Sequence, residues 1–410
     1  MLSGLKGILF IYKMTDNLIV ANNEKGKKSE VELLMDEIPL LKELFEIHYK
    51  VGEGTFSNVY LATMKSNCDS KKFAIKHIVP TYPPSRIERE LKCLQEIGGA
   101  DNVVGVELCL RNGPSVAFVM PYMRHYKFSD YVGDMNQNEL KQYMRALLIA
   151  LRKVHLFNII HRDVKPSNFL YDRRHKKYLL VDFGLAQNYV EDTQNNNNSI
   201  NSNLNDHFEN LFMKRKRGDE NNRQSQAALK KSAVESKSCC FGKPQVCSNC
   251  LLKPSQVASR AGTPGYRPPE VLLKYPHQTP AIDVWASGIM MLCILSATQP
   301  FFRCPDDTTA LAEMITVFGS AKIQQCANKL GKKLICSENI TGIDLMTLCQ
   351  KLRQRSYNTS QQSNTSNNRK NTLAENYPPE AYDLLSRLLD VDYKTRISAN
   401  DALEHPFLKP

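Results

Sequence analysis

The sequence predicts an α+β protein, with a small strand-rich part ending near residue 121 and a larger helix-rich part behind it. Three observations predict it. Runs rich in β-branched and aromatic residues occupy 45–62, 71–78 and 115–122. A 3.6-residue apolar period then takes over at 138–155. With 410 residues, of which 42% are hydrophobic, the chain can bury a sizeable core.

Residues 1–43 are polar and lack a strong pattern, so they are expected to be a disordered tail. The apolar stretch Ile8–Tyr12 is short and has no small-residue cleavage site after it, so no signal peptide is expected. Met1 and Met14 are both admissible starts. No run approaches the eighteen or so apolar residues of a membrane span. Without a secretory signal, the twelve cysteines should be thiols or metal ligands.

A strand begins at Phe45 and leads into "VGEGTFSNVYLA", 51–62, and "KKFAIKHI", 71–78, reads as a second strand. "PPSRIERELKCLQEIGG" reads as a helix, with Ser85 and Glu88 as a capping box and Ile87, Leu91 and Leu94 as its apolar stripe. "SVAFVMPY", 115–122, is a buried strand ending at a proline. "NELKQYMRALLIALRKVH", 138–155, is an amphipathic helix with Leu140, Tyr143, Leu147, Leu151 and Val154 along one side. "QNNNNSINSNLND", 194–206, is low complexity and expected to be disordered. Order should resume near Cys239, and a second polar stretch, 356–372, interrupts the C-terminal helices.

Several motifs carry chemistry. In "GEGTFSNV", Gly52 and Gly54 let a turn bring backbone N–H groups close to phosphates, with Glu53, Thr55, Phe56, Ser57, Asn58 and Val59 completing the loop. Ser57 stands where a third glycine is usual. Lys76, on a strand, is costly to bury without a partner, and Glu90 on the following helix can supply one. In "IIHRDVKPSNFLY", Asp163 can accept a hydroxyl proton, Lys165 can offset phosphate charge and Asn168 can ligate magnesium. "LLVDFGLAQ" supplies Asp182 as a second magnesium ligand. Each tripeptide alone is weak evidence; all of them in this order, with Lys76 upstream, are specific.

From about Phe45 to Phe407 the chain resembles the eukaryotic protein kinases. "HRDVKPSNFLY", "DFGLAQ", "VCSNC" and "RAGTPGYRPPE", with a long insert between Asp182 and Glu270, are similar to its cell-division-cycle-seven branch. The resemblance implies a bilobal fold: N-lobe 44–121, C-lobe 122–408, an activation-segment insert 188–257 and a polar insert 354–376. It implies ATP and Mg2+, with adenine beside Ala74 and against Met120, Pro121, Tyr122 and Met123. Arg396 should pair with Glu270 inside the C-lobe. It further implies transfer to Ser or Thr, MCM helicase subunits as substrates, a docked activating regulatory subunit and action in the nucleus. "KRKR", 214–217, is a nuclear-import candidate there, though basic runs are often solvated loops.

The resemblance also bears on "CCFGKPQVCSNC", 239–250. The family places its first two cysteines one residue apart, whereas Cys239 and Cys240 are adjacent; Cys247 and Cys250 keep the Cys-x-x-Cys spacing. A structural Zn2+ held by four thiolates is one reading and four free thiols the other. Arg260, Thr263 and Arg267 are expected at the substrate, the two arginines favouring a carboxylate or phosphate after the target residue. The net charge of +12 suits nucleic acid, acidic substrates or simply an ordinary basic surface, and alone does not choose among them. Direct nucleic-acid binding and membrane association are not expected. The alternatives are another acidophilic kinase of the casein-kinase type, or a scaffold that has lost catalysis.

Overall fold

The computed structural model describes residues 10–12, 29–54, 56–66, 71–79, 81–189, 262–362 and 377–409. They lie in one compact unit, Met1–Tyr189 with Ala258–Pro410; Val190–Val257 form a second unit, outside the described residues.

The front of the chain folds around a six-stranded sheet. Its strands are β1 (Phe10–Tyr12), β2 (Phe45–Gly54), β3 (Ser57–Met64), β4 (Lys72–Ile78), β5 (Leu108–Asn112) and β6 (Ser115–Pro121), in the order β1-β5-β6-β4-β3-β2. Only β1 runs parallel to its neighbour, pairing with β5. The hairpin β5–β6 turns through Gly113, whose φ of 55° suits a residue without a Cβ. Register places Val59 opposite Lys76 and Ala74 opposite Met120, so the loop, the lysine and the rear of the cleft share one layer.

Two features differ from the expectations here. The segment 1–43 was expected to be disordered, yet residues 30–44 form helices α1 (Glu30–Glu37) and α2 (Pro39–Leu44). Ser29 and Glu32 make the capping box of α1. Leu34, Ile38 and Leu41 then pack with Phe45, Ile75 and Leu110, which is the physical reason this polar segment orders. Helix α3 (Pro84–Glu96) follows the sequence, but its cap does not: Pro83 is the N-cap and no side chain caps it. Two prolines set the entry, and Pro84 at the first turn has no N–H to satisfy.

The C-lobe packs around two helices. Helix α4 (Gln137–Leu156) buries all five residues of its predicted stripe. The helix Ala281–Ser296 is buried on every side from Ile282 onward, so it reads as apolar throughout rather than amphipathic. Gly288 lets it approach the end of the helix Pro379–Leu388: a Cβ there would lie 2.7 Å from Leu389 Cδ2 and 3.0 Å from Leu388 Cβ. Arg396 and Glu270 form the expected pair, doubly hydrogen-bonded at 2.7 and 3.0 Å, with the guanidinium 5.0 Å from the Trp285 ring. The helix Leu345–Gln362 enters the interval expected to be a polar interruption from 354; residues 363–376 lie outside the described ones. No helix among the described residues is long and apolar enough to cross a membrane.

Candidate active site

The strand β4 sets Lys76 in the interior at 7% exposure, where an unpaired ammonium would be costly. Two carboxylates meet it. Its Nζ donates to Glu90 Oε1 at 2.5 Å and to Asp182 Oδ1 at 2.7 Å, drawing together β4, α3 and the Asp-Phe-Gly turn. Burial favours the neutral amine, but the two carboxylates outweigh it and raise the pKa of Lys76. They do not benefit equally. Asp182 is opposed by burial, but Lys76 dominates and lowers it to about 2. Glu90 is raised, because burial and the Asp182 charge exceed what the shared lysine returns.

Asp163 is held by three donors. Thr263 Oγ1 donates to Oδ1 at 2.7 Å, while Lys165 Nζ (2.8 Å) and Asn168 Nδ2 (3.0 Å) reach Oδ2. Lys165 also donates to Thr263 Oγ1 at 2.8 Å, which ties the catalytic loop to the segment before Glu270. The loop backbone is fixed from behind by Asp283. Its carboxylate, wholly buried, accepts from the N–H groups of His161 and Arg162, each at 2.8 Å, and lies 3.0 Å from His155 Nε2. Burial opposes its ionisation, but the His155 contact prevails and its pKa is lowered. Arg162 takes a φ of 69° within this anchored turn.

The residues present fit a nucleotide with magnesium. Asn168 turns its amide nitrogen to Asp163, leaving its carbonyl oxygen as the atom for a cation. Asp182 keeps a side chain 45% exposed, with Oδ1 taken by Lys76 and by the Gly184 N–H. Magnesium bound there would neutralise charge on the transferred phosphoryl group. The chain's own part would be positioning: Lys76 would face the phosphates, and Asp163 would orient the attacking hydroxyl and receive its proton. Met120 is buried beside Ala74, and the Tyr122 N–H donates to Lys72 at 3.1 Å, fixing the strand that adenine would lie against.

The loop residues Gly52, Glu53, Gly54, Ser57, Asn58 and Val59 form the β2–β3 hairpin over the cleft, with Phe56 at its tip; Thr55 lies outside the described residues. So do Arg260 and the four cysteines Cys239, Cys240, Cys247 and Cys250. No group of metal-ligating residues of the His, Cys, Asp or Glu type occurs among the described residues.

Arg267, expected at the substrate from its place just ahead of the Pro-Glu pair, is engaged within the chain: its Nε and Nη2 donate to Gly262 O at 2.9 and 2.6 Å, and its Nη1 to Asp307 at 2.6 Å. Asp307 lies forty positions on, beyond the reach of local reading. Sequence reasoning missed Tyr82 and His155; Asp283 is legible as a structural acid within a run that otherwise reads as buried helix.

The protein kinase domain family matches residues 45–204 and 231–408. A non-specific serine/threonine protein kinase of Drosophila melanogaster is 36% identical, over 95% of this chain and 71% of its own length. The cell division cycle 7-related protein kinase of Homo sapiens is 34% identical, over 94% of this chain and 93% of its own. The cell cycle serine/threonine-protein kinase hsk1 of Schizosaccharomyces pombe is 31% identical, over 93% and 76%. With the lysine–glutamate–aspartate triad assembled and Asp163 held by Lys165, Thr263 and Asn168, the chain belongs to the protein kinase family, among its Cdc7-related serine/threonine kinases.

Proposed function

We propose that this serine/threonine kinase acts in the initiation of DNA replication. In this reading it transfers the γ-phosphoryl group of ATP to Ser or Thr followed by an acidic or phosphorylated residue on MCM helicase subunits. It works in the nucleus with an activating regulatory subunit and has little activity without it. The observation that carries the catalytic part is the Lys76–Glu90–Asp182 triad, assembled together with the Asp163 network. The cell-cycle part is supported by its relatives, which include a cell division cycle 7-related kinase and a cell cycle kinase. Acid preference is supported by the +12 balance of the chain. Zinc at Cys239, Cys240, Cys247 and Cys250 is supported by the Cys-x-x-Cys spacing, and one equivalent per chain in metal analysis is the expected result.

The deciding assay uses the chain purified with the subunit that accompanies it in stoichiometric amount. Turnover should be faster on peptides with Asp, Glu or phosphoserine after the target Ser than on the same peptides with Ala, and MCM subunits should be modified at such sites. Equal rates on both peptide sets would sink the acid-directed reading. Full activity of the isolated chain would sink the need for a subunit.

A further inference from the structure

Tyr82 lies in the short connection between β4 and α3, outside every motif of the family pattern, yet it touches three parts of the site. Its hydroxyl donates to Gly184 O at 2.5 Å, on the Asp-Phe-Gly turn that carries Asp182. Its ring meets Phe56, at the tip of the glycine-rich loop, with centroids 5.3 Å apart and planes tilted by 42°. Its other neighbour is the Arg86 guanidinium, 5.9 Å from the ring centre, on the first turns of α3.

The connection itself is fixed at both ends. The Tyr82 N–H donates to Val79 O at 3.0 Å, and the Val79 N–H to Phe56 O at 2.9 Å, so the loop tip and the tyrosine hang from one strand end. Tyr82 is 6% exposed in a cleft that must admit a nucleotide. Space at the turn is tight: a Cβ built on Gly184 would lie 3.0 Å from the Tyr82 hydroxyl, 3.2 Å from Asp182 Oδ1 and 3.5 Å from Glu90 Oε2. The hydroxyl therefore sits within one atomic layer of the metal-binding carboxylate. Burial raises the pKa of the phenol, so it remains a donor at neutral pH.

We propose that Tyr82 is a positioning residue for phosphoryl transfer. Its hydroxyl holds the Asp182 turn in register with α3, and its ring gives the glycine-rich loop a seat to close on. The two functions are separable, because Phe keeps the ring and removes only the hydroxyl.

The test compares Tyr82→Phe, Tyr82→Ala and Phe56→Leu in the full chain with its accompanying subunit, measuring kcat, KM for ATP and the magnesium concentration giving half activation. Losing one neutral hydrogen bond corresponds to about fivefold. Tyr82→Phe should therefore lower kcat by about that factor and raise the half-activating magnesium similarly, with KM for ATP nearly unchanged. A variant that merely unfolds more easily would lower the active fraction without moving the magnesium dependence. Tyr82→Ala should in addition raise KM for ATP, and Phe56→Leu should add little on top of it. Wild-type kcat and magnesium dependence in Tyr82→Phe would overturn the hydroxyl's role. Fully additive effects of Tyr82→Ala and Phe56→Leu on KM would overturn the ring's role.

Discussion

Replacing Lys76 by Met should make stability fall more steeply with rising pH than it does in the parent, where Glu90 is already raised. Glu90 is 2% exposed, and Lys76 supplies both of the influences that lower its pKa. Without the ammonium, burial and the Asp182 charge remain, so Glu90 rises further and Asp182 loses the partner that holds it down. A carboxyl whose folded pKa exceeds its unfolded value binds more protons when folded. Stability then falls as pH climbs from the unfolded value through the folded one. Leaving one member of a buried pair uncompensated costs about 3 kcal/mol. For a chain of this size that corresponds to roughly 3–5 °C in midpoint. Thermal unfolding of parent and Lys76→Met at pH 5 and pH 8 is the assay. The gap between them should be clearly larger at pH 8, and adding Glu90→Gln should narrow it there. An identical gap at both pH values would refute the assignment of Glu90 as the strained partner.

Two further outcomes follow from the same geometry. Arg267→Leu removes the Gly262 and Asp307 contacts together, so activity should fall alike on peptides with an acidic residue or alanine after the target; a loss confined to acidic peptides would return Arg267 to substrate reading. Arg353→Leu should cost about 3 kcal/mol in denaturant unfolding, because the buried guanidinium donates to Ile294 O and Leu295 O at the end of the central helix and to the Tyr377 hydroxyl; an unchanged midpoint would contradict this.

The candidate catalytic residues were legible because the chemistry forces residue types at fixed separations. A lysine on a strand needs a buried acid on the next helix, and a metal needs an amide and a carboxylate near the proton acceptor. Lys76, Glu90, Asp163, Asn168 and Asp182 all fall where that logic puts them. What was lost depended on contacts distant in sequence or on weak local signals. Asp307 claims Arg267 across forty residues, and nothing near either residue announces it. Tyr82 stands in a proline-rich connection that reads as a linker. The capping box was sought at Ser85 and Glu88, where Pro83 and Pro84 had already set the helix start. It occurs instead at Ser29 and Glu32, in a segment whose polarity masked the short stripe of Leu34, Ile38 and Leu41. Strand β5 escaped notice because it is only five residues long, although the Asn-Gly pair at 112–113 marked its turn.

The most direct test of the account is phosphate transfer from ATP to a serine peptide by the parent chain and by Asp182→Asn, side by side, with magnesium as the only metal. Asp182 unites the two halves of the argument: it pairs with Lys76 and offers the carboxylate for the cation. The account predicts phosphoserine formation by the parent and its loss in the variant, with the unfolding midpoint of the variant still that of a folded protein. Near-parental turnover by Asp182→Asn under those conditions would contradict it.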